Sequence, residues 1–388
     1  MFVGTLASLA LPQDIPAPSP IRVLDLCAAP GGKSTHLASI LREKYGNNFL
    51  LVCNEVMRNR ATVLLENMAL WGDPCTIVTS VDPSAFGRME GLFDMIVVDA
   101  PCSGEGMFRK DPSAREQWSE DAVNLCARRQ RRILSDVLPS LREGGTLIYS
   151  TCTFNTLENE ENVMFLEENF ALTEVKPSQA LADKWTSCGI LRSERRGWRL
   201  LPGVVNGEGQ YACALRREEG VQRSVPGKGK PSSKNSPAPR NRAQGVSPST
   251  YLEGEFLPIM KDTVTLALPA EIAPLVPSLE GLRPLHTGIL LGEMKGKDFC
   301  PSCDLALCPS LRRGIFQEVE LTRSEALSFL HKDPLVFSGL KTGYLLLCYD
   351  SLPLGFVKNL GNRSNNLLPS SRRIRMDIDG RGQQWNDN

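Results

Sequence analysis

The chain is 388 residues long, with 44 Lys and Arg against 44 Asp and Glu and 41% apolar content, enough for two or three domains. The balanced charge gives no argument for a polyanionic partner, and 12 cysteines over this length exclude a disulfide scaffold. No apolar run reaches membrane-spanning length, and residues 1–11 lack the basic start of a signal peptide, so a reduced, cytoplasmic protein with no membrane partner is expected.

In chain order, residues 21–26 read as a buried strand, and Leu37, Ile40 and Leu41 recur at helical spacing from about residue 33. Residues 49–53 form a second strand, and Ala61, Leu64, Leu65 and Met68 stripe a second helix. Strands at 76–79 and 93–98 precede a long helix marked by Cys126, Ile133, Leu134, Val137 and Leu138. That helix is expected to run to Gly144-Gly145, with a strand over 146–149 after it. The alternation predicts an α/β domain over residues 1–216 with a mainly parallel, doubly wound sheet. Residues 198–201 and 210–215 read as a closing hairpin around Asn206-Gly207-Glu208-Gly209. Eight Lys and Arg against two acids between Arg216 and Gly245 predict a flexible basic linker over 217–250, whose charge also attracts nucleic-acid phosphates. Residues 251–376 regain short apolar segments (287–291, 343–348, 353–358) and one helix near 324–330, a smaller β-rich region. Residues 377–388 read as a disordered tail.

Cys27-Ala28-Ala29-Pro30-Gly31-Gly32-Lys33-Ser34-Thr35 joins the first strand to the first helix. Small residues let backbone N–H groups approach a ligand, and a helix N-terminus favours negative charge. Gly-Lys-Ser suggests a P-loop, but the first glycine that loop needs falls at Cys27, and G-x-G-x-x-G is absent. A nucleotide triphosphatase and a dinucleotide fold are both disfavoured. A carboxylate-bearing cofactor such as S-adenosylmethionine fits the turn. Glu55, directly after the second strand, suits a pair of ribose hydroxyls, and Asp82, after the third, an adenine amine. Either acid alone reads as a solvated loop end; their joint placement shifts the reading to ligand binding.

Cys102, in Asp99-Ala100-Pro101-Cys102-Ser103-Gly104, and Cys152, in Tyr149-Ser150-Thr151-Cys152-Thr153, each follow an apolar, β-prone run. Each therefore leaves the carboxyl end of a strand, where open α/β sheets bind ligands. Two thiols converging on one crevice suit a reaction with an attack step and a release step. Cys53, Cys75, Cys126, Cys188, Cys213 and Cys348 read instead as buried small hydrophobes. Cys300-x-x-Cys303 with Cys308 has no fourth ligand at metal spacing, so no metal is expected. Arg128, Arg129, Arg131 and Arg132 fit phosphate binding or salt bridges with Glu120 and Asp121 equally well. Glu158, Glu160 and Glu161 suit the positive end of a helix, a structural role.

Four segments in this order and spacing resemble the Nol/Nop/Sun (Fmu) family of RNA cytosine-5 methyltransferases, in its bacterial RsmF type: residues 27–35, Asp99 to Gly106, Arg128-Arg129-Gln130-Arg131-Arg132-Ile133-Leu134, and Tyr149 to Glu160. Gly292-Glu293-Met294-Lys295, Gly355-Phe356-Val357-Lys358 and Asn365 to Arg375 are similar to that type's accessory region, which includes a PUA-like RNA-binding module. The resemblance implies a Rossmann-like methyltransferase domain over 1–216, an accessory and PUA-like region over 251–376, S-adenosylmethionine as cofactor and 5-methylcytosine in RNA as product.

It also implies roles. Cys152 is the nucleophile and Cys102 assists release, with the reverse assignment, as in DNA cytosine methyltransferases, left open by the chemistry. Asp99 hydrogen-bonds the cytosine amine or protonated ring nitrogen and borders the cofactor. Cys27, Ala28, Ala29, Pro30, Gly31, Gly32, Lys33, Glu55 and Asp82 bind the cofactor. Ribosomal RNA is the expected substrate of a monomeric enzyme. Transfer RNA is the alternative, and a catalytically silent RNA-binding or ribosome-assembly factor the second class. Family members carry an RNA-recognition segment before the cofactor strand, where only about twenty residues stand here, so a truncated or mis-started chain is expected.

Overall fold

The computed structural model describes residues 1–12, 19–219, 246–296 and 298–376. Up to residue 217 the elements run α1 (Phe2–Ala10), β1 (Ile21–Asp25), α2 (Gly32–Tyr45), β2 (Phe49–Asn54), α3 (Arg58–Trp71), β3 (Thr76–Thr79), β4 (Phe93–Asp99), α4 (Ser113–Gln117) and α5 (Glu120–Val137). They continue as β5 (Leu141–Thr151), α6 (Glu160–Phe170), β6 (Leu172–Glu174), α7 (Gln179–Ser187), β7 (Ile190–Arg192), β8 (Trp198–Leu200) and β9 (Gln210–Arg217). The sheet order is β3-β2-β1-β4-β5-β9-β8-β7, with β6 also on β9. It is parallel from β3 to β5 and antiparallel from β9 onward, so the expected Rossmann-like sheet is present with its closing hairpin.

The central strands read as continuous apolar runs because helices cover both faces of a parallel sheet. Val23, Leu24, Val97 and Val98 are all fully buried. The strand order reverses between β1 and β4, and ligands of such sheets bind in the crevice outside the strand ends at that point. The register of β4 on β5 matters equally. Asp99 lies opposite Ser150, so the chains leading to Cys102 and Cys152 leave neighbouring strands at one height.

α5 buries Val123, Ala127, Gln130, Ile133, Leu134 and Val137 on one face. It ends at Val137 rather than at Gly144-Gly145, and β5 begins at Leu141, earlier than the expected 146. Pro139 accounts for this, since a proline inside a helix lacks the N–H and meets the carbonyl of the preceding turn. The thiols of Cys53, Cys75, Cys213 and Cys348 are buried as expected, but Cys188 is exposed and Cys126 only half-buried. Cys188 caps α7 at the turn into Gly189, outside the apolar face.

The described residues fall into two compact units, 1–65, 75–219 and 274–286 in the first, and 66–74, 246–273 and 287–376 in the second. Residues 274–286 of the expected accessory region thus join the first unit. Most of the expected linker (220–245) and the expected tail (377–388) lie outside the described residues. The second unit holds two four-stranded sheets. One pairs Phe256–Lys261, Val264–Pro269, Ile289–Lys295 and Asp298–Pro301 antiparallel. The other orders Gln317–Glu320, Gly343–Tyr349, Leu352–Asn359 and Ser364–Asn366. The expected helix is Arg323–His331, started by a capping box between Thr322 and Glu325. Ile289, Leu291, Leu346 and Phe356 form one core of this unit; Phe329, Leu345, Leu347 and Val357 form a second. No helix among the described residues is long and apolar enough to cross a membrane.

Candidate active site

Beyond β1 the chain turns through residues 27–31 into α2. Gly31 caps that helix at φ 114°, a backbone conformation that a side chain would strain. The turn is held by Ala28 N–H donating to the Asn54 carbonyl and Gly31 N–H donating to the Ala28 carbonyl, both at 2.8 Å. A Cβ built on Gly32 meets nothing within 4 Å. A cavity of about 350 Å³ opens there, walled by Cys27, Ala28, Ala29, Pro30, Gly32, Lys33 and Asp99, with Val3 and Gly4 of α1 at its side. A larger cavity, about 670 Å³, lies against α3 and β3 and is lined by Arg58, Ser80 and Arg283; it touches neither the turn nor Lys33 and Asp99, which line the smaller one. The smaller cavity is the chemically equipped one.

Glu55, just past β2, is buried. Met57 N–H donates to its Oε1 at 2.9 Å, while Oε2 lies 3.2 Å from Arg60 Nη1 without a hydrogen bond. That buried, unsatisfied oxygen is what a ribose hydroxyl would complete. Asp82 is differently used. Its Oδ1 accepts from Ser84 N–H and Oγ, capping a short 3-10 turn, and these bonds hold its carboxyl below the usual range. Burial pushes the Cys27 thiol up, with Asp25 and Glu55 adding to the effect, so Cys27 stays protonated near neutrality. The open space over Gly32, the unsatisfied Glu55 oxygen and the N-terminus of α2 together fit S-adenosylmethionine.

Cys102 Sγ lies 3.0 Å from Cys152 Sγ. Cys152 is held below the ordinary thiol range by the hydrogen bond from Cys102, against burial and Asp99, with the Lys33 cation assisting. Cys102 goes the other way, raised by that same hydrogen bond and by burial. A thiolate is the nucleophilic form of cysteine, so the pair is polarised toward Cys152 as attacker. Lys33 Nζ lies 2.7 Å from Asp99 Oδ2, and Ser150 Oγ donates to Asp99 Oδ1 at 2.6 Å. Burial opposes the charge on Lys33, but the Asp99 pair outweighs it and raises its pKa. The structure therefore brings Cys102, Cys152, Lys33 and Asp99 together, with Glu55 and Asp82 farther along the strand ends.

Several residues around the thiols carry no local sequence signal. Tyr149 OH donates to the Glu158 carbonyl (2.6 Å) and lies 3.1 Å from Gln130 Oε1, all three residues being buried. Gln130 was legible only as a polar residue within the apolar stripe of α5. Glu158 and Glu160 do more than face a helix terminus. Both are buried, and Glu160 forms a two-pronged pair with Arg199 at 2.6 Å. Of the arginine cluster, Arg132 pairs with Asp136 at 3.2 Å and lies 3.6 Å from Asp82, and Arg131 donates to Asn162 at 2.9 Å. For these two the salt-bridge reading is met, though by acids other than Glu120 or Asp121.

A family model described as 16S rRNA methyltransferase RsmB/F matches residues 16–216, and one described as Methyltransferase RsmF PUA domain matches residues 316–374. The Ribosomal RNA small subunit methyltransferase F of Erwinia tasmaniensis is 31% identical over 366 residues, covering 90% of this chain and 73% of that protein. The protein of the same description from Shewanella baltica is 30% identical over 362 residues, covering 89% and 72%. Among solved structures, NSun6 from Pyrococcus horikoshii with SFG is 26% identical at a TM-score of 0.45, over 55% of this chain and 51% of that one. With a match over more than half its length and a PUA domain in its second unit, the chain belongs to the RsmB/F family of 16S rRNA methyltransferases.

Proposed function

We propose that this RNA methyltransferase transfers a methyl group from S-adenosylmethionine to carbon 5 of a cytosine in ribosomal RNA, through a covalent adduct on Cys152. The family's cofactor supplies an electrophilic methyl group on a sulfonium centre. In this reading Cys27, Ala28, Ala29, Pro30, Gly31, Gly32 and Lys33 cradle it, Glu55 takes its ribose and Asp82 borders its base.

Carbon 5 of cytosine is a poor nucleophile. The Cys152 thiolate adds to carbon 6, breaking the ring's aromaticity and leaving carbon 5 enamine-like and able to take the methyl group. A base then removes the carbon 5 proton, the bond from carbon 6 to sulfur breaks, and the thiolate leaves with its electron pair. Asp99, held by Lys33 and Ser150, hydrogen-bonds the cytosine amine or protonated ring nitrogen, which makes carbon 6 more electrophilic. Cys102 assists release. A cytosine buried in a helix cannot present its face to sulfur, so the target is single-stranded or flipped.

The observation that carries a two-thiol reaction is the 3.0 Å separation of Cys102 Sγ and Cys152 Sγ. A Cys152 thiol lowered where Cys102 is raised suits the attacking role that the family resemblance gives it. Cys152→Ala is expected to abolish methylation of 16S rRNA and any covalent RNA complex on a denaturing gel. Cys102→Ala should still form that complex and release it slowly, so it accumulates. RNA trapped on Cys102 in the Cys152→Ala protein would reverse the roles.

A further inference from the structure

The loops that carry the two thiols grip each other through a pair of carboxylates. Glu105, shortly after Cys102, reaches across to the backbone just past Cys152. Its Oε2 accepts the N–H groups of Phe154 (2.7 Å) and Asn155 (2.9 Å). Its Oε1 accepts from the Trp118 indole at 3.0 Å and from Asn155 Nδ2 at 3.1 Å. Gly106 N–H adds a bond to the Cys152 carbonyl at 2.8 Å. Any Cβ at Gly106 would sit 2.7 Å from that carbonyl oxygen, so the two backbones are already as close as they can be.

Glu158, beyond Cys152, does the converse for Cys102. It is fully buried, and it accepts the N–H of Ser103, the next residue after Cys102, at 3.1 Å. Gln130 Nε2 donates to the same carboxylate at 2.6 Å and to the Pro101 carbonyl at 3.0 Å, holding Cys102 from the other side. Asn155 Nδ2 donates to Glu158 at 2.8 Å as well as to Glu105, linking the two carboxylates through one amide.

We propose that Glu105 and Glu158 are positioning residues for methyl transfer, each fixing the loop of the opposite thiol so that Cys102 stays within hydrogen-bond reach of Cys152. This inference rests on the proposed thiol roles. A buried carboxylate such as Glu158 is costly unless strong donors compensate it, and both it and the half-buried Glu105 hold backbone and amide donors that a neutral acceptor would hold more weakly. Glutamine has the shape of glutamate, but it gives up one acceptor oxygen and turns an NH₂ toward donors. Glu105→Gln and Glu158→Gln therefore test the clamp rather than the packing.

The experiment follows iodoacetamide labelling of the Cys152 peptide by mass spectrometry across pH in the 388-residue chain, beside melting curves and methylation of 16S rRNA. Glu158→Gln is expected to raise the midpoint of Cys152 labelling by one pH unit or more and to lower kcat at least tenfold with little change in KM. In a Cys102→Ser background it should leave the midpoint where Cys102→Ser alone puts it, because the effect passes through Cys102. Glu105→Gln should shift the midpoint in the same direction.

Lowered melting temperatures with an unmoved labelling profile would mean a merely structural role and overturn the proposal. If either glutamine variant fails to fold, Gln130→Met and Trp118→Phe each remove one donor. Smaller shifts of the same sign support the clamp, and none refutes it. Methylation surviving in Cys152→Ala would sink the thiol roles instead, a result that the labelling profile does not depend on.

Discussion

Asp25 closes β1 with its carboxyl wholly buried. The Ser34 hydroxyl donates to Oδ2 at 2.7 Å, while Oδ1 has no hydrogen-bond partner. Burial pushes this acid up to about 7, with Asp99 and Glu55 adding to the rise and Ser34 and Lys33 opposing it. The folded protein thus keeps a proton to about pH 7 that an unfolded chain gives up near 3.8. Between those values the folded state binds more protons, so stability declines as pH climbs, by up to about 1.4 kcal/mol per pH unit. Asp25→Asn cannot ionise and removes that slope. The melting temperature of the variant relative to the parent is expected to rise from pH 5 to about pH 7 and to level off above it; a difference constant from pH 5 to pH 7 would show that Asp25 does not titrate as described. The thiols were legible at this scale because each follows an apolar run directly. Asp25 was not, because an acid at the end of a strand looks the same whether water or a closed pocket surrounds it.

Helix α2 begins on a glycine, Gly32, that the packing of the fold does not require. The first-turn N–H groups of a helix have no partners within it and suit an anion, and Gly32 leaves the space above them open. Glycine costs a helix stability relative to alanine, and here no steric clash within the fold demands it. Gly32→Ala is accordingly expected to stabilise the free protein slightly, by about 0.4–1 kcal/mol, while weakening S-adenosylhomocysteine binding at least tenfold in calorimetry. Equal loss of both would mean that the glycine serves the fold. The same elements show where pattern reading ends. The strands β1 to β4 and the start of α2 follow from apolar spacing. The end of α5 was overrun because Gly144-Gly145 reads as the stop, whereas Pro139, directly after the last stripe residue Leu138, ends the helix by its missing N–H. The clamp between Glu105 and Glu158 depends on β4 and β5 pairing with Asp99 opposite Ser150. Local sequence does not encode that register, so Glu158 reads as a helix-end acid and Glu105 only as part of the Asp99-to-Gly106 segment.

Across the whole molecule, the order of the motifs sufficed to indicate a methyltransferase sheet and a β-rich accessory region. Which unit residues 274–286 join was not visible, since their composition does not reveal the surface they cover. The division into two units, each with its own core, makes a spatial prediction about ligand binding. A ligand that binds only the folded state stabilises it by RT ln(1 + [L]/Kd), about 2.7 kcal/mol at a hundredfold excess over Kd. S-adenosylhomocysteine should therefore raise the melting temperature. In hydrogen exchange it should protect amides of residues 27–33 and around Asp99, which line the cavity, and of Glu55 to Met57, where Met57 N–H donates to the acid proposed for the ribose. Amides of Gly343–Tyr349 and Leu352–Asn359, in the second unit, should exchange at their unliganded rates. ATP should protect neither set, because the turn lacks the leading glycine that a phosphate loop requires. Protection of residues 27–33 by ATP but not by S-adenosylhomocysteine would hand the turn back to phosphate binding, and protection confined to Arg58, Ser80 and Arg283 would move the methyl donor to the larger cavity.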